Sequence, residues 1–88
     1  MSKSSNILIV DDNQTNRNLL QDLVVTLGHI PYVAENGLAA LDHIKKHIPD
    51  IVLLDILMPK MDGYQVLNRM KADKHSRHIP VIMISAVD

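Results

Sequence analysis

The stretch Asn6-Ile-Leu-Ile-Val-Asp11-Asp12 decides the fold, because it joins a run of apolar residues directly to two aspartates. A short, continuous apolar run is typical of a strand that is buried on both faces of a parallel sheet. Two similar runs follow: Ile51–Leu54 precedes Asp55, and Val81–Ile84 precedes Ser85. The sequence therefore predicts polar side chains at the ends of three buried strands.

The residues after this first strand predict a helix and then an edge strand. Asp12 and Asn13 offer N-cap chemistry for the helix. Its apolar residues recur at helical spacing, and Gly28 supplies a C-terminal stop. The predicted apolar face carries Leu19, Leu20, Leu23, Val24 and Leu27. The short segment Ile30–Ala34 is interrupted by Pro31, which indicates an edge strand because proline has no N–H to donate to a ladder.

Two further helices alternate with the remaining strands. The second is predicted to follow a turn at Asn36-Gly37 and to end at Pro49-Asp50, with an inner face formed by Leu41, Ile44 and Ile48. The third helix presents Val66, Leu67 and Met70 inward, and Lys71–His78 is predicted to be a polar connection to the fourth strand, Val81–Ser85. This βαβαβαβ order predicts an α/β fold, with a mostly parallel sheet covered by helices on both faces.

The strand ends indicate the chemistry of a site. In an open α/β sheet, ligands bind beyond the carboxyl ends of the strands, so Asp11, Asp12 and Asp55 are expected to share a small volume beside the Ser85 hydroxyl. Crowded carboxylates raise one another's pKa unless a cation neutralises them. Oxygen ligands of this kind suit Mg²⁺, which binds through a few carboxylates and phosphate oxygens. The pattern predicts phosphoryl chemistry at a magnesium-dependent site.

Three motifs in order carry a resemblance to a known family: the pair Asp11-Asp12 after an apolar strand, Leu-Asp-Ile-Leu-Met-Pro-Lys-Met-Asp-Gly at residues 54–63, and Ile84-Ser85-Ala86. From Asn6 onward the chain resembles the receiver domain of two-component response regulators. The resemblance implies a doubly wound, flavodoxin-like (CheY-like) sheet with strand order 2-1-3-4. It also implies a fifth strand and two last helices that these residues do not contain. We therefore expect residues 1–88 to be a partial receiver domain without the family's conserved lysine.

The resemblance also implies a role for each residue of the site. Asp55 is the expected phosphoacceptor, and Ser85 is expected to hydrogen-bond a phosphoryl oxygen. Asp12 is expected to be a direct ligand of Mg²⁺, with Asp11 mainly holding metal-bound waters, and with Asp55 and the backbone carbonyl of Leu57 completing the protein ligands. The domain would then be a signalling phosphoacceptor that switches conformation. It would not be an enzyme beyond autocatalytic phosphotransfer and dephosphorylation.

Composition and charge limit the kinds of partner that the domain is expected to contact. The net charge is −1 with no basic stripe, and the only aromatic residues are two tyrosines, which disfavours contact with nucleic acid. No apolar run approaches the length that spans a bilayer, and the polar N-terminus does not look like a signal peptide, which favours a cytoplasmic location. By resemblance, the partner is a sensor histidine kinase or a histidine phosphotransfer domain. The incomplete sheet edge also predicts self-association.

Other functions stay open at this point. A metal-dependent phosphohydrolase would more often carry an Asp-x-Asp pair, whereas Asp55 is followed by Ile56-Leu57. A nucleotide-binding module would need a glycine-rich turn after the first strand. A receiver-like interaction scaffold that is not phosphorylated is favoured by the missing lysine and disfavoured by the aspartates. His43 and His47 have the spacing of helical metal ligands, but we interpret them as solvent-facing side chains.

Overall fold

The computed structural model describes residues 3–84, so Ser85 lies outside the described residues. The elements in chain order are β1 (Asn6–Val10), α1 (Gln14–Thr26), β2 (Ile30–Ala34), α2 (Gly37–Lys46), β3 (Ile51–Asp55), α3 (Gly63–Ala72) and β4 (Val81–Ile84). The four strands form one parallel sheet in the order β2-β1-β3-β4. This topology confirms the predicted α/β fold and strand order.

Side-chain caps fix where each helix begins. The side chains of Asn13 and Asn36 each accept the backbone N–H three residues further on, at 3.0 and 2.8 Å. Asp62 and Gln65 form a reciprocal capping box at the start of α3. Such caps satisfy N–H groups that have no partner inside the helix. Because α1 is capped by Asn13, the two aspartates before it remain in a short loop at the end of β1.

The core lies mainly between the sheet and helices α2 and α3. Leu8 and Val10 of β1 and Val52 and Leu54 of β3 are almost fully buried there, because alternate residues of a strand point to the same face. The rest of this cluster comes from the other helices and strands and from two loops: Ala34, Ala40, Ile44, Met58, Val66, Met70 and Ile79. Ser76, in the predicted polar connection, is also buried, and its hydroxyl donates to the carbonyl of Met70 at 2.8 Å.

The opposite face of the sheet is covered by α1 alone among the described elements. The buried apolar residues on this side are Ile7, Ile9 and Val24, and Leu20 is half-buried against them. The other leucines of the predicted apolar face are exposed: Leu19, Leu23 and Leu27. The helical spacing was therefore predicted correctly, but only the part of the stripe that faces β1 and β2 is covered.

Two predicted boundaries were wrong. Helix α2 ends at Lys46, and Ile48 lies beyond it with an exposed side chain instead of on an inner face. Pro49 disfavours helical geometry in Ile48, the residue before it. The backbone leaves the helix one residue earlier, at His47, which is extended with φ −141°. The polar connection also starts later than predicted, because α3 continues to Ala72.

Strand β2 is an edge, as predicted. The N–H of Ile30 donates to the carbonyl of Ser5 at 2.9 Å, so the backbone of this residue faces β1. Since alternate residues of a strand present their backbone groups to opposite sides, the Pro31 nitrogen faces solvent. A proline in that position removes a donor only from the unpaired side and discourages another chain from pairing there.

Candidate functional site

Three carboxylates meet at the carboxyl ends of β1 and β3. Val10 pairs with Leu54 in the parallel register, so the residues that follow them emerge side by side. One carboxylate oxygen from each of Asp11, Asp12 and Asp55 lies within 4.8 Å of the other two. The structure therefore brings together the three aspartates that the sequence predicted to share a site.

The three aspartates differ in burial and in hydrogen bonding. Asp11 and Asp55 are buried, whereas Asp12 is exposed. The N–H of Asp11 donates to the carbonyl of Ala34 at 3.1 Å, and its Oδ1 accepts the N–H of Asn13 at 2.9 Å. Asp55 Oδ1 accepts the N–H of Leu57 at 3.2 Å. Two of the carboxylates are thus fixed by backbone bonds, and the third is accessible from solvent.

The surroundings disfavour the charged form of Asp55. Burial raises the pKa of the Asp55 carboxyl above its ordinary value of 3.8, and the negative charges of Asp11 and Asp12 raise it further. The amides of Leu57 and Ile56 oppose this shift by hydrogen bonding to the carboxylate. A cation placed among the three aspartates would reverse the balance, because it would favour the ionised form of each of them.

The loop between β3 and α3 closes against the phosphoacceptor candidate. A Cβ on Gly63 would collide with the backbone carbonyl of Asp55, and the Gly63 N–H donates to the carbonyl of Ile56 at 3.0 Å. This close approach is what requires glycine at residue 63. The positive φ of the loop belongs to Lys60, at 68°. Backbone packing therefore holds the end of β3 in place.

The donor set fits Mg²⁺. All three side chains offer oxygen, and one of them is exposed, so a bound cation could keep several waters as Mg²⁺ prefers. Within residues 3–84 this is the only group of three or more His, Cys, Asp or Glu side chains whose ligand atoms lie close enough to share an ion. The repulsion that raises the pKa of Asp55 would be relieved by such a cation.

Comparison with known proteins agrees with this geometry. Residues 7–88 match the family model described as the response regulator receiver domain. The chain belongs to this receiver domain family. The polar-differentiation response regulator DivK of Brucella anthropi is 41% identical over 80 residues, which cover 91% of this chain and 65% of that protein. The chain thus spans about two thirds of the length of this curated relative.

Solved structures of receivers superpose closely on this one. The N-terminal domain of a response regulator receiver protein from Methanoculleus marisnigri JR1 has a TM-score of 0.93 at 36% identity, and the match covers 97% of this chain and 69% of that one. The receiver domain of a signal transduction histidine kinase from Syntrophus aciditrophicus has a TM-score of 0.90 at 32% identity, covering 97% and 64%. The CheY-like fold and the signalling class are therefore shown, and neither a phosphohydrolase nor a scaffold is favoured.

Leu57, His43 and His47 differ in exposure. Leu57 places an exposed side chain beside Asp55, and the role of its carbonyl as a ligand stays a prediction, as does that of Ser85. His47 is exposed, but His43 is half-buried, with its ring 5.3 Å from that of Tyr32. Burial, followed by the neighbouring His47, lowers the pKa of His43. Among the described residues, no helix is long and apolar enough to cross a membrane.

Sequence reasoning assigned no role to one residue near the site. Arg17, in α1, donates from Nη1 to the backbone carbonyl of Asp11 at 2.7 Å. A signal for it was present, because a cation near the N-terminus of a helix is unfavourable to the helix dipole and calls for a specific partner.

Proposed function

We propose that this receiver domain accepts a phosphoryl group on Asp55 and passes the signal on by changing conformation. The observation that supports the proposal most directly is the meeting of three carboxylates within 4.8 Å at the ends of two central strands. Asp55 is the buried member that ends a strand, and its Oδ1 is held by a backbone amide. A positioned carboxylate can act as a nucleophile toward phosphorus.

The proposed transfer begins with a phosphohistidine of a sensor kinase or a histidine phosphotransfer domain. An oxygen of the Asp55 carboxylate forms a bond to phosphorus while the P–N bond to the imidazole breaks. The imidazole leaves with the electron pair of that bond and takes up a proton. In the later hydrolysis, a water oxygen bonds to phosphorus while the P–O bond to Asp55 breaks. Inorganic phosphate leaves, and the carboxylate is restored. Both reactions belong to the domain itself, which is otherwise a signalling module.

Mg²⁺ supplies positive charge that lets a phosphoryl group approach an acidic site. In the proposal it is held by Asp12, by Asp55 and by the Leu57 carbonyl, with Asp11 holding metal-bound waters. Ser85 is proposed to hydrogen-bond a phosphoryl oxygen. The new negative charge at the strand ends would then bias an element that has two conformations.

The proposal extends to location and partners. Residues 1–88 form part of one receiver domain, which acts in the cytoplasm beside its kinase or phosphotransfer partner and contacts neither nucleic acid nor membrane. A chain of these 88 residues is proposed to self-associate through the outer edge of β4. Val81–Ile84 is largely apolar, Ile82 is exposed, and within residues 3–84 no strand pairs with this edge.

Magnesium binding is the first test. A ligand that binds only the native state stabilises it by about 2.7 kcal/mol at one hundred times its dissociation constant. We expect millimolar Mg²⁺ to raise the melting temperature of the wild type and to have much less effect on Asp12→Asn. Asp42→Asn is the matched control, because Asp42 is an exposed aspartate on α2. Equal responses in all three proteins would remove Asp12 from the metal site.

Phosphorylation is the second test. The protein is incubated with a small-molecule phosphodonor and Mg²⁺, and the intact mass is measured before and after hydroxylamine, which cleaves acyl phosphates. We expect one phosphoryl group on the wild type and none on Asp55→Asn. Labelling of these 88 residues should be slow, because they do not include the family's conserved lysine, which would help to neutralise the phosphoryl group. The same mass increment on Asp55→Asn would show that another residue is the acceptor.

A further inference from the structure

The backbone around Asp12 is held from both sides. The peptide plane before it contains the carbonyl of Asp11, which accepts the Nη1–H of Arg17 at 2.7 Å. The plane after it contains the N–H of Asn13, which donates to Asp11 Oδ1 at 2.9 Å. Because each peptide unit is rigid and planar, a hydrogen bond to one atom of each plane restricts the φ and ψ angles of Asp12, whose Cα joins them. The Asp12 side chain is exposed and takes part in no hydrogen bond described for residues 3–84.

A positive charge at the position of Arg17 is unfavourable to α1 unless the side chain has a specific partner. Arg17 lies in the first turns of α1, where a positive charge is unfavourable to the helix dipole. Its side chain is half-buried, and within residues 3–84 no carboxylate lies close enough to form a salt bridge with it. Its described side-chain hydrogen bond goes to the Asp11 carbonyl, six residues before it. The contact therefore ties the start of the helix to the loop that carries Asp12.

We propose that Arg17 is a positioning residue for the metal site. It does not touch the cation. It orders the loop so that the Asp12 carboxylate is already directed at the volume shared with Asp11 and Asp55. This inference rests on the proposed function, since it concerns how the site gains its affinity for Mg²⁺. An ordered loop raises affinity because less conformational freedom is lost when the ligand binds.

The sign of one effect separates positioning from simple electrostatics. A guanidinium near three aspartates repels a divalent cation, so the loss of its charge alone would strengthen Mg²⁺ binding. The loss of the hydrogen bond to Asp11 would loosen the loop and weaken Mg²⁺ binding. Arg17→Met removes the charge and the donor while keeping a long apolar stem. The two explanations therefore predict opposite changes in the dissociation constant.

The test is calorimetric titration of Mg²⁺ into the wild type, Arg17→Met, Arg17→Lys and Arg69→Met. Arg69 is an exposed arginine on α3, so Arg69→Met controls for the change in net charge. We expect Arg17→Met to bind Mg²⁺ about threefold to tenfold more weakly than the wild type, by analogy with the ordering of one side chain. Arg17→Lys, which keeps the charge and can donate one hydrogen bond, should fall between them. Arg69→Met should match the wild type.

The outcomes keep the two proposals apart. If the wild type binds no Mg²⁺, the proposed function fails and the inference fails with it. If the wild type binds Mg²⁺ and Arg17→Met binds it equally or more tightly, only the positioning role is overturned. If Arg17→Met does not fold, Arg17→Lys decides, because an affinity equal to that of the wild type would then contradict the role assigned to the guanidinium.

A second readout needs no metal. In the metal-free protein, ¹⁵N relaxation of the Asp12 and Asn13 amides reports how tightly the loop is held. We expect lower order parameters at these two amides in Arg17→Met than in the wild type, with those of β1 unchanged. Unchanged order at Asp12 and Asn13 would show that Arg17 does not hold the loop.

Discussion

The two faces of the sheet differ in how completely they are covered. The face toward α2 and α3, which we call the closed face, packs against a cluster of eleven buried apolar side chains. The face toward α1, the open face, belongs to a cluster of three. On the open face, Leu23 of α1 and Ile82 of β4 are each 52% exposed, while Leu54 on the closed face is 0% exposed. The closed face therefore supplies most of the hydrophobic stabilisation, which is roughly proportional to the apolar area removed from water.

The functional site borders the open face. Side chains alternate along a strand, so Asp11 continues the series of Ile7 and Ile9, and Asp55 continues that of Ile51 and Leu53. Asp11 also lines a cavity of about 200 Å³ together with Asn16, Leu19, Leu20 and Ile84. The stable part of the fold and the chemically active part thus lie on different sides of the same strands. A change in the groups that cover the open face would therefore affect the geometry of the site more directly than a change in the main core.

The largest expected effect compares two neighbouring leucines of β3. Leu54→Ala removes a fully buried side chain from the closed face and should lower the free energy of unfolding by about 2–5 kcal/mol. Leu53→Ala removes a half-buried side chain from the open face and should cost at most about half as much, because less apolar area returns to water. Urea denaturation of both variants measures the difference. Equal losses would mean that the open face is as well packed as the closed one.

An intermediate effect concerns association. Ile82→Lys places a charge on the exposed apolar side of β4, where it should disfavour contact with a second chain. We expect the 88-residue wild type to show a mass above that of a monomer in light scattering at high concentration, and the variant to remain monomeric. Its stability should change little, because the side chain is largely in water. A monomeric wild type at the highest concentrations would show that the open face and the β4 edge need no partner.

The sequence predicted the closed face better than the open one. Continuous apolar strands and turn residues predicted the element order, the parallel sheet and the meeting of Asp11, Asp12 and Asp55. Helical spacing did not reveal which leucines of α1 are covered, because spacing identifies a stripe on a helix and says nothing of what packs against it. The boundary of α2 was missed because the constraint before Pro49 outweighed the periodicity that includes Ile48.

The sequence predicted the carboxylates of the site but not the contacts that hold them in place. Aspartates after apolar strands are a local signal that a reader of the sequence can find. The contact of Arg17 with the Asp11 carbonyl and the approach of Gly63 to Asp55 depend on how a loop returns to the sheet. Such contacts are set by tertiary packing, for which the sequence carries only indirect signs.

The smallest expected effect is a pH dependence that originates at the border of the open face. Burial, aided by Asp11 and Asp12, raises the pKa of Asp55 in the folded protein above its ordinary value of 3.8. Between the ordinary pKa and the raised one, Asp55 in the folded state therefore keeps a proton that the unfolded state has already released. Without divalent cations, the contribution of Asp55 to stability should fall as pH rises from about the ordinary value through the raised one, and stay constant above it.

Asp55→Asn isolates this contribution. We expect the free energy of unfolding of the wild type minus that of Asp55→Asn to decrease with rising pH across that window, in chelator, by urea denaturation. In saturating Mg²⁺ the decrease across that window should disappear, because a bound cation favours the ionised carboxylate and lowers its pKa in the folded state. The difference should then increase with rising pH below the ordinary pKa of 3.8. A difference curve that is flat in chelator would show that the border of the open face leaves Asp55 as free to ionise as it is in water.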